Sequence, residues 1–139
     1  MSAKRAVRVQ PLLAVADVPR SRAWYTRLLG LKKLPEETSD HDHLYNRLYD
    51  GDALALQLHR WDAEEHPNLV REPGTRPGHG VLVWFEVDDF EDAAARARAM
   101  NAEIVEDVHR NPAPGHWELW LRDPDGYVVV VASPDGSAP

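Results

Sequence analysis

Cysteine is absent from the 139 residues. Disulfides, thiolate zinc sites and cysteine nucleophiles are therefore excluded. No apolar run is long enough to span a membrane, and residues 1–10 lack the apolar core of a signal peptide. No membrane partner and a cytoplasmic location are the expectation. Basic residues are in the minority, 16 against 23 acidic ones, for a net charge of -7. Nucleic-acid binding is dominated by Lys and Arg on phosphates, so this balance argues against a nucleic-acid partner. It suits a cationic ligand, or serves solubility alone. There is no Gly-rich phosphate loop, and Ser21, Ser39 and Ser133 have no histidine partner by motif.

What is present is a repeat. Leu13-Ala14-Val15-Ala16-Asp17 is a short apolar alternation that ends in an aspartate. Phe85-Glu86-Val87-Asp88-Asp89 repeats that grammar 72 positions later. Each reads as a strand followed by a helix whose first turn the Asp caps. Two such halves predict an α+β fold of two βαβββ modules, forming a curved mixed sheet around a concave cavity. At this length a single domain over 1–139 is expected, with about 68% of the unfolded surface buried. Module one covers about 8–60, a linker about 61–80, and module two about 81–133.

Residues 1–7 read as a mobile lead-in. Strand signals cover 8–16, 32–37, 43–49, 53–59, 81–87, 102–108, 116–121 and 127–132. Pro11 marks the first strand as irregular or at an edge. Asp17, Pro19 and Gly30 bracket one helix; Asp89 and Asp92 open a second, alanine-rich one over 93–100. Asp50-Gly51 is a hairpin signal and Asp123-Pro124-Asp125-Gly126 a turn. Residues 61–80 carry Pro and Gly without period, a loop long enough to cover a site. Residues 109–115 read as a loop, and the tail from Ser133 is expected to fray.

Alternation assigns faces. Val9, Leu13 and Val15 should face the helix, and Gln10, Leu12 and Ala14 the cavity. Leu54, Leu56 and Leu58 read as core, with Ala55, Gln57 and His59 toward the cavity. Trp84 shares a face with Leu82. Glu118 and Trp120 share the cavity face while Leu119 and Leu121 are core. The chain holds five tryptophans, and indole faces stack planar ligands while neighbouring carboxylates favour cations. The same rings could fill a core or an interface. His116, Glu118 and Glu86 form one polar cluster that could hold a metal or a salt bridge. Carboxylates beside indoles can have raised pKa values suited to acid–base work. His41-Asp42-His43 is the other metal candidate; it sits in the polar run 38–43, which reads as a solvated turn.

Leu12-Leu13-Ala14-Val15-Ala16-Asp17, Trp24-Tyr25-Thr26 and Leu28-Leu29-Gly30-Leu31, followed far downstream by Leu121-Arg122-Asp123-Pro124-Asp125-Gly126-Tyr127, resemble the vicinal oxygen chelate superfamily. That superfamily includes glyoxalase I, extradiol dioxygenases and antibiotic resistance proteins. The resemblance runs from about Val9 to Ala132. Members with a metal take one ligand from each of four strands. The resemblance puts those positions at Gln10, Gln57, Leu82 and Val130. Leu82 and Val130 have no donor atom, so neither a metal nor another cofactor is expected. The run from Val81 to Val87 and that from Pro114 to Pro124 are similar to bleomycin resistance proteins. This resemblance implies a homodimer whose acidic, aromatic grooves sequester a cationic drug without altering it.

The leading expectation is therefore a metal-independent binding protein of the bleomycin-resistance type, with a small-molecule ligand. Its groove would be lined by Gln10, Gln57, Leu82, Trp84, Glu86, His116, Glu118, Trp120 and Val130, with no catalytic residue. The alternative is an enzyme of the same superfamily: a lyase, isomerase or dioxygenase with a displaced metal, or an acid–base catalyst using Glu86, Glu118 and His116. A vestigial pocket in an interaction module is the third possibility.

Overall fold

The computed structural model describes residues 7–37, 41–63 and 66–138. The chain forms two compact units. Residues 1–26 with 30–71 make up the first, and residues 27–29 with 72–139 the second.

The first unit follows from its apolar alternation and its caps. Strand β1 (Leu12–Val15) leads into helix α1 (Val18–Leu29), and β2 (Tyr45–Asp50) and β3 (Ala53–Arg60) close a hairpin. The sheet order is β1-β3-β2, with β1 parallel to β3 and β2 antiparallel to it. The Asp17 carboxylate accepts the Arg20 N–H at 3.0 Å, satisfying a donor that the helix itself cannot pair. Gly30 ends the helix at φ +74, a conformation that costs other residues strain, and its N–H reaches Thr26 O. Leu13, Val15, Val18, Tyr25, Leu48, Leu56 and Leu58 are buried as the core.

The second unit comprises β4 (Leu82–Glu86), α2 (Phe90–Ala99), β5 (Glu103–Asn111), β6 (His116–Arg122) and β7 (Val128–Ala132). Its sheet order is β4-β7-β6-β5, with β4 parallel to β7 and the other pairs antiparallel. Asp89 caps α2 through the Asp92 N–H at 3.0 Å. Phe90, Ala93, Ala94 and Ala97 are its buried stripe. Leu119, Leu121, Val129 and Val131 are fully buried on one face of the sheet, each contributing roughly 1.5–3 kcal/mol. Buried Asp123 pins the β6–β7 turn, its Oδ1 accepting the N–H groups of Asp125, Gly126 and Tyr127 at 2.9–3.0 Å.

The architecture is the expected α+β fold, its elements fit the expected βαβββ modules, and several boundaries differ. The first strand begins only at Leu12, because Pro11 offers no N–H and contributes just its carbonyl, which accepts the Gln57 N–H at 2.9 Å. Val9, expected to face the helix, is 83% exposed. The strand expected over 32–37 is reduced to a Lys32–Tyr49 bridge and a short 3-10 turn at Pro35–Glu37. Pro35 sits where a longer ladder would need a donor. Strand β5 runs to Asn111, three residues past the expected limit, so His109 and Asn111 are strand residues. The tail over residues 133–138 is bonded in place rather than frayed. Ser133 N donates to Trp117 O at 3.0 Å, Gly136 N to Pro114 O at 3.0 Å and Ala138 N to Gly115 O at 2.9 Å. The lead-in expected over residues 1–7 lies outside the described residues except for Val7, as do Thr38, Ser39 and Asp40 of the polar run. Among the described residues no helix is long and apolar enough to cross a membrane.

Candidate functional site

The open face of the second sheet is built in rows by strand register. Trp84, Val130, Trp120 and Glu106 are successive partners across β4, β7, β6 and β5. The next row is Glu86, Ala132, Glu118 and His109. Side chains of directly paired residues share a face, so the alternation of β4 and β6 read from the sequence is realised. Leu82 and Trp84 are exposed, at 41% and 45%, whereas Val130 is buried between its two indole neighbours.

Glu118 is the organising residue. It is 2% exposed and accepts from the Trp120 indole N–H at 2.9 Å and the Asn111 amide at 2.9 Å. His116 Nε2 stands 2.6 Å from one carboxylate oxygen, and His109 Nε2 lies 3.3 Å from the other. Burial pushes the Glu118 carboxyl up, but the hydrogen bonds from Trp120, Asn111 and His116 outweigh it and hold the pKa at about 2. The expectation of a raised carboxyl pKa beside the indoles is corrected here, because a carboxylate with several donors is stabilised as an anion. His116 is itself buried, with Nδ1 3.0 Å from an Asp135 carboxylate oxygen. Burial pushes its pKa down, and the two flanking carboxylates more than reverse that and hold it above the ordinary imidazole value. The Trp84 ring packs against the His116 ring at 5.8 Å between centroids.

The cluster thus fixes the two indoles and leaves Glu118 and His116 saturated. Glu86 differs. It is exposed on the same face, and the described residues give it no hydrogen-bond or ion-pair partner. Sequence reasoning missed His109, Asn111 and Asp135. The first two fell in a segment read as loop, and Asp135 in a tail read as free. A strand pattern continuing through Val108-His109-Arg110-Asn111 was the available signal for the first two.

In the first unit, Gln57 is fully engaged. The Tyr45 hydroxyl donates to its Oε1 at 2.5 Å, and its Nε2 donates to the Gln10 backbone oxygen at 2.9 Å. Gln10 is exposed, and only its backbone enters this network. Leu82 and Val130 carry no donor, and among the described residues no three His, Cys, Asp or Glu side chains converge as metal ligands. The four family positions therefore do not fit a metal. His41-Asp42-His43 forms a turn, with Leu44 N donating to His41 O at 2.8 Å, and Asp42 pairs with Lys33 and Asn46.

Known proteins share this architecture. A model of the Glyoxalase/Bleomycin resistance protein/Dioxygenase superfamily matches residues 7–131. A lactoylglutathione lyase of Salmonella typhimurium is 27% identical over 129 residues, covering 86% of this chain and 87% of that protein. The lactoylglutathione lyase of Escherichia coli O157:H7 is 26% identical over the same shares. Among solved structures, TioX from Micromonospora sp. ML1 superposes with a TM-score of 0.70 at 21% identity, covering 92% of this chain and 98% of that one. At that identity the likeness concerns the fold.

These relatives overturn the leading expectation of a drug-sequestering protein of the bleomycin-resistance type, and they give no support to the inclination away from an enzyme. The curated relatives carry the name of a lyase over most of the chain. The geometry adds a physical reason. Glu118, one of the two carboxylates meant to attract a cationic drug, already spends its charge on His116 and on neighbouring N–H donors.

Proposed function

The chain belongs to the Glyoxalase/Bleomycin resistance protein/Dioxygenase superfamily, and from that premise we propose that it is a glyoxalase-like lyase working by carboxylate acid–base chemistry. The substrate class is a small 2-oxoaldehyde carried as its thiol adduct. The relatives' name supports this class: lactoylglutathione is a 2-hydroxy thioester, and its cleavage gives a thiol and a 2-oxoaldehyde.

The chemistry is an internal redox shift that needs no external oxidant. In the thiol adduct, one carbon bears the hydroxyl and sulfur, and its neighbour is a carbonyl. A base removes the proton from the first carbon, and the electron pair moves to form an enediol. Return of a proton to the second carbon gives the 2-hydroxy thioester. The reverse sequence, followed by C–S cleavage, is the lyase direction.

Glu86 is the proton carrier in this proposal. The observation that supports it is its position: an unpartnered carboxylate on the open face, in the same row as Glu118 and next to Trp84. Trp84 and Trp120 wall the aliphatic part of the substrate, which packs against their rings. Glu118 and His116 act through these indoles as positioning residues, since their own donors and acceptors are occupied. Because the four family positions do not fit a metal, no step is assigned to one.

The test supplies methylglyoxal with glutathione, and separately with smaller thiols, and follows thioester absorbance. Thioester formation above the uncatalysed rate is expected. No formation with any thiol at micromolar enzyme would end the lyase reading.

A further inference from the structure

We propose that the C-terminal segment Ser133–Ala138 is a pH-gated strap, latched to the second sheet by the buried His116 between Glu118 and Asp135. The inference does not depend on the lyase reading.

The strap is held at its ends by hydrogen bonds whose donors and acceptors do not titrate near neutral pH. Ser133 and Trp117 exchange two hydrogen bonds, Trp117 N to Ser133 Oγ at 2.8 Å and Ser133 N to Trp117 O at 3.0 Å. At the other end Ala138 is 1% exposed, and its oxygen accepts from Arg110 Nε at 3.1 Å. Between them Asp135 is the one strap side chain bonded to His116, at 3.0 Å, and it is otherwise mostly in water. The groups facing His116 come from each neighbouring element. Glu118 lies on its own strand and Asp135 on the strap. From β5, His109 and Glu106 reach it only through Glu118, and Arg110 reaches the strap's end. From β4 it meets the Trp84 ring, and Glu86 lies two residues further along that strand.

An imidazolium donates from both nitrogens, so it satisfies both carboxylates. A neutral imidazole keeps one N–H and turns a lone pair toward the other carboxylate. Glu118 is the buried partner and would cost more to leave unpaired. The remaining N–H therefore stays with Glu118, and the exposed Asp135 is released to solvent. His116 has its pKa raised above 6.5 in the fold. The latch is accordingly complete below the ordinary imidazole pKa and lost as pH rises through the raised value.

Release has a structural consequence. Pro134 and Ser137 of the strap line a cavity of about 700 Å³ together with Phe90, Val108 and Trp117. Trp117 points to the opposite face of the sheet from His116, being the next residue on the strand. Protonation of a histidine on the open face thus controls the wall of a cavity on the helix-bearing face.

The experiment measures amide hydrogen-exchange protection of Gly136 and Ala138 by NMR from about pH 5 to about pH 9, corrected for the intrinsic pH dependence of exchange. The His116 ring protons are titrated on the same sample. Protection should fall about tenfold or more in one step that coincides with His116 deprotonation. Asp135→Ala, which leaves no group to bond His116 Nδ1, should lower the His116 pKa and leave the strap poorly protected at every pH, with the circular dichroism spectrum unchanged. Protection independent of pH in the parent, or an Asp135→Ala protein whose His116 titrates as in the parent, would overturn the latch. The parent titration stands alone if the variant folds poorly.

Discussion

Replacing Glu118 by Gln removes a buried charge while keeping nearly the same volume. A carboxyl whose pKa falls from 4.5 to about 2 on folding contributes about 3 kcal/mol at neutral pH, at about 1.4 kcal/mol for each pKa unit. The amide recovers part of that by accepting from the Trp120 indole. Its NH2 end, however, meets the Asn111 amide and the His116 N–H, which are donors too. A net loss of about 2–3 kcal/mol is expected. The sign with pH follows from the lowered pKa. The parent's advantage is complete above about pH 4.5 and disappears as pH falls through about 2. Urea unfolding of both proteins at neutral pH and at several acidic values measures this gap. A difference below about 0.5 kcal/mol at neutral pH, or one that stays constant down to about pH 2, would refute the placement of Glu118 as an anion satisfied by its neighbours.

Gly78 sits at φ +78, and a Cβ there would lie 2.6 Å from the Tyr127 ring. Gly78→Ala should therefore cost about 1–3 kcal/mol in thermal or urea unfolding; a neutral change would mean that the loop does not approach Tyr127 in solution. Asp123→Ala leaves three turn N–H groups without their shared acceptor and should destabilise by about 1–3 kcal/mol, whereas Asp125→Ala should cost less. A homodimer is the proposed assembly, because edge strand β5 exposes Ile104, Val105 and Val108. Light scattering at micromolar concentration should give twice the chain mass, and a monomer would count against it.

Legibility of the sequence followed the range of the forces involved. The two capping aspartates, Gly30 and the Asp123 turn are local chemistry, and each stands where the local pattern placed it. Alternation sorted Leu119 and Leu121 from Glu118 and Trp120 because strand period is itself local. What was not legible depended on partners distant in sequence. The His116–Glu118 pair was legible from its two-residue spacing, but the Asn111 and His109 contacts that complete it come from the neighbouring strand β5. The tail reads as polar and loose, yet it is ordered by bonds to Pro114, Gly115 and Trp117. Pro11 hinted at a short first strand, but the shortening also depended on where β3 pairs. Gln10, Gln57, Leu82 and Val130 were placed by resemblance, and their chemistry argued against a metal. It did not argue against catalysis, and reading the one as the other led to the binding-protein expectation.

Proton transfer by Glu86 without a metal is tested most directly by kcat/KM for thioester formation from methylglyoxal and glutathione. Protein stripped with a chelator is used, for the parent and for Glu86→Gln. The stripped parent should keep its rate, and Glu86→Gln should fall by about 10²–10⁴-fold while remaining folded. A parent rate that vanishes on chelation and returns with added divalent metal, or a Glu86→Gln protein as active as the parent, would contradict this mechanism.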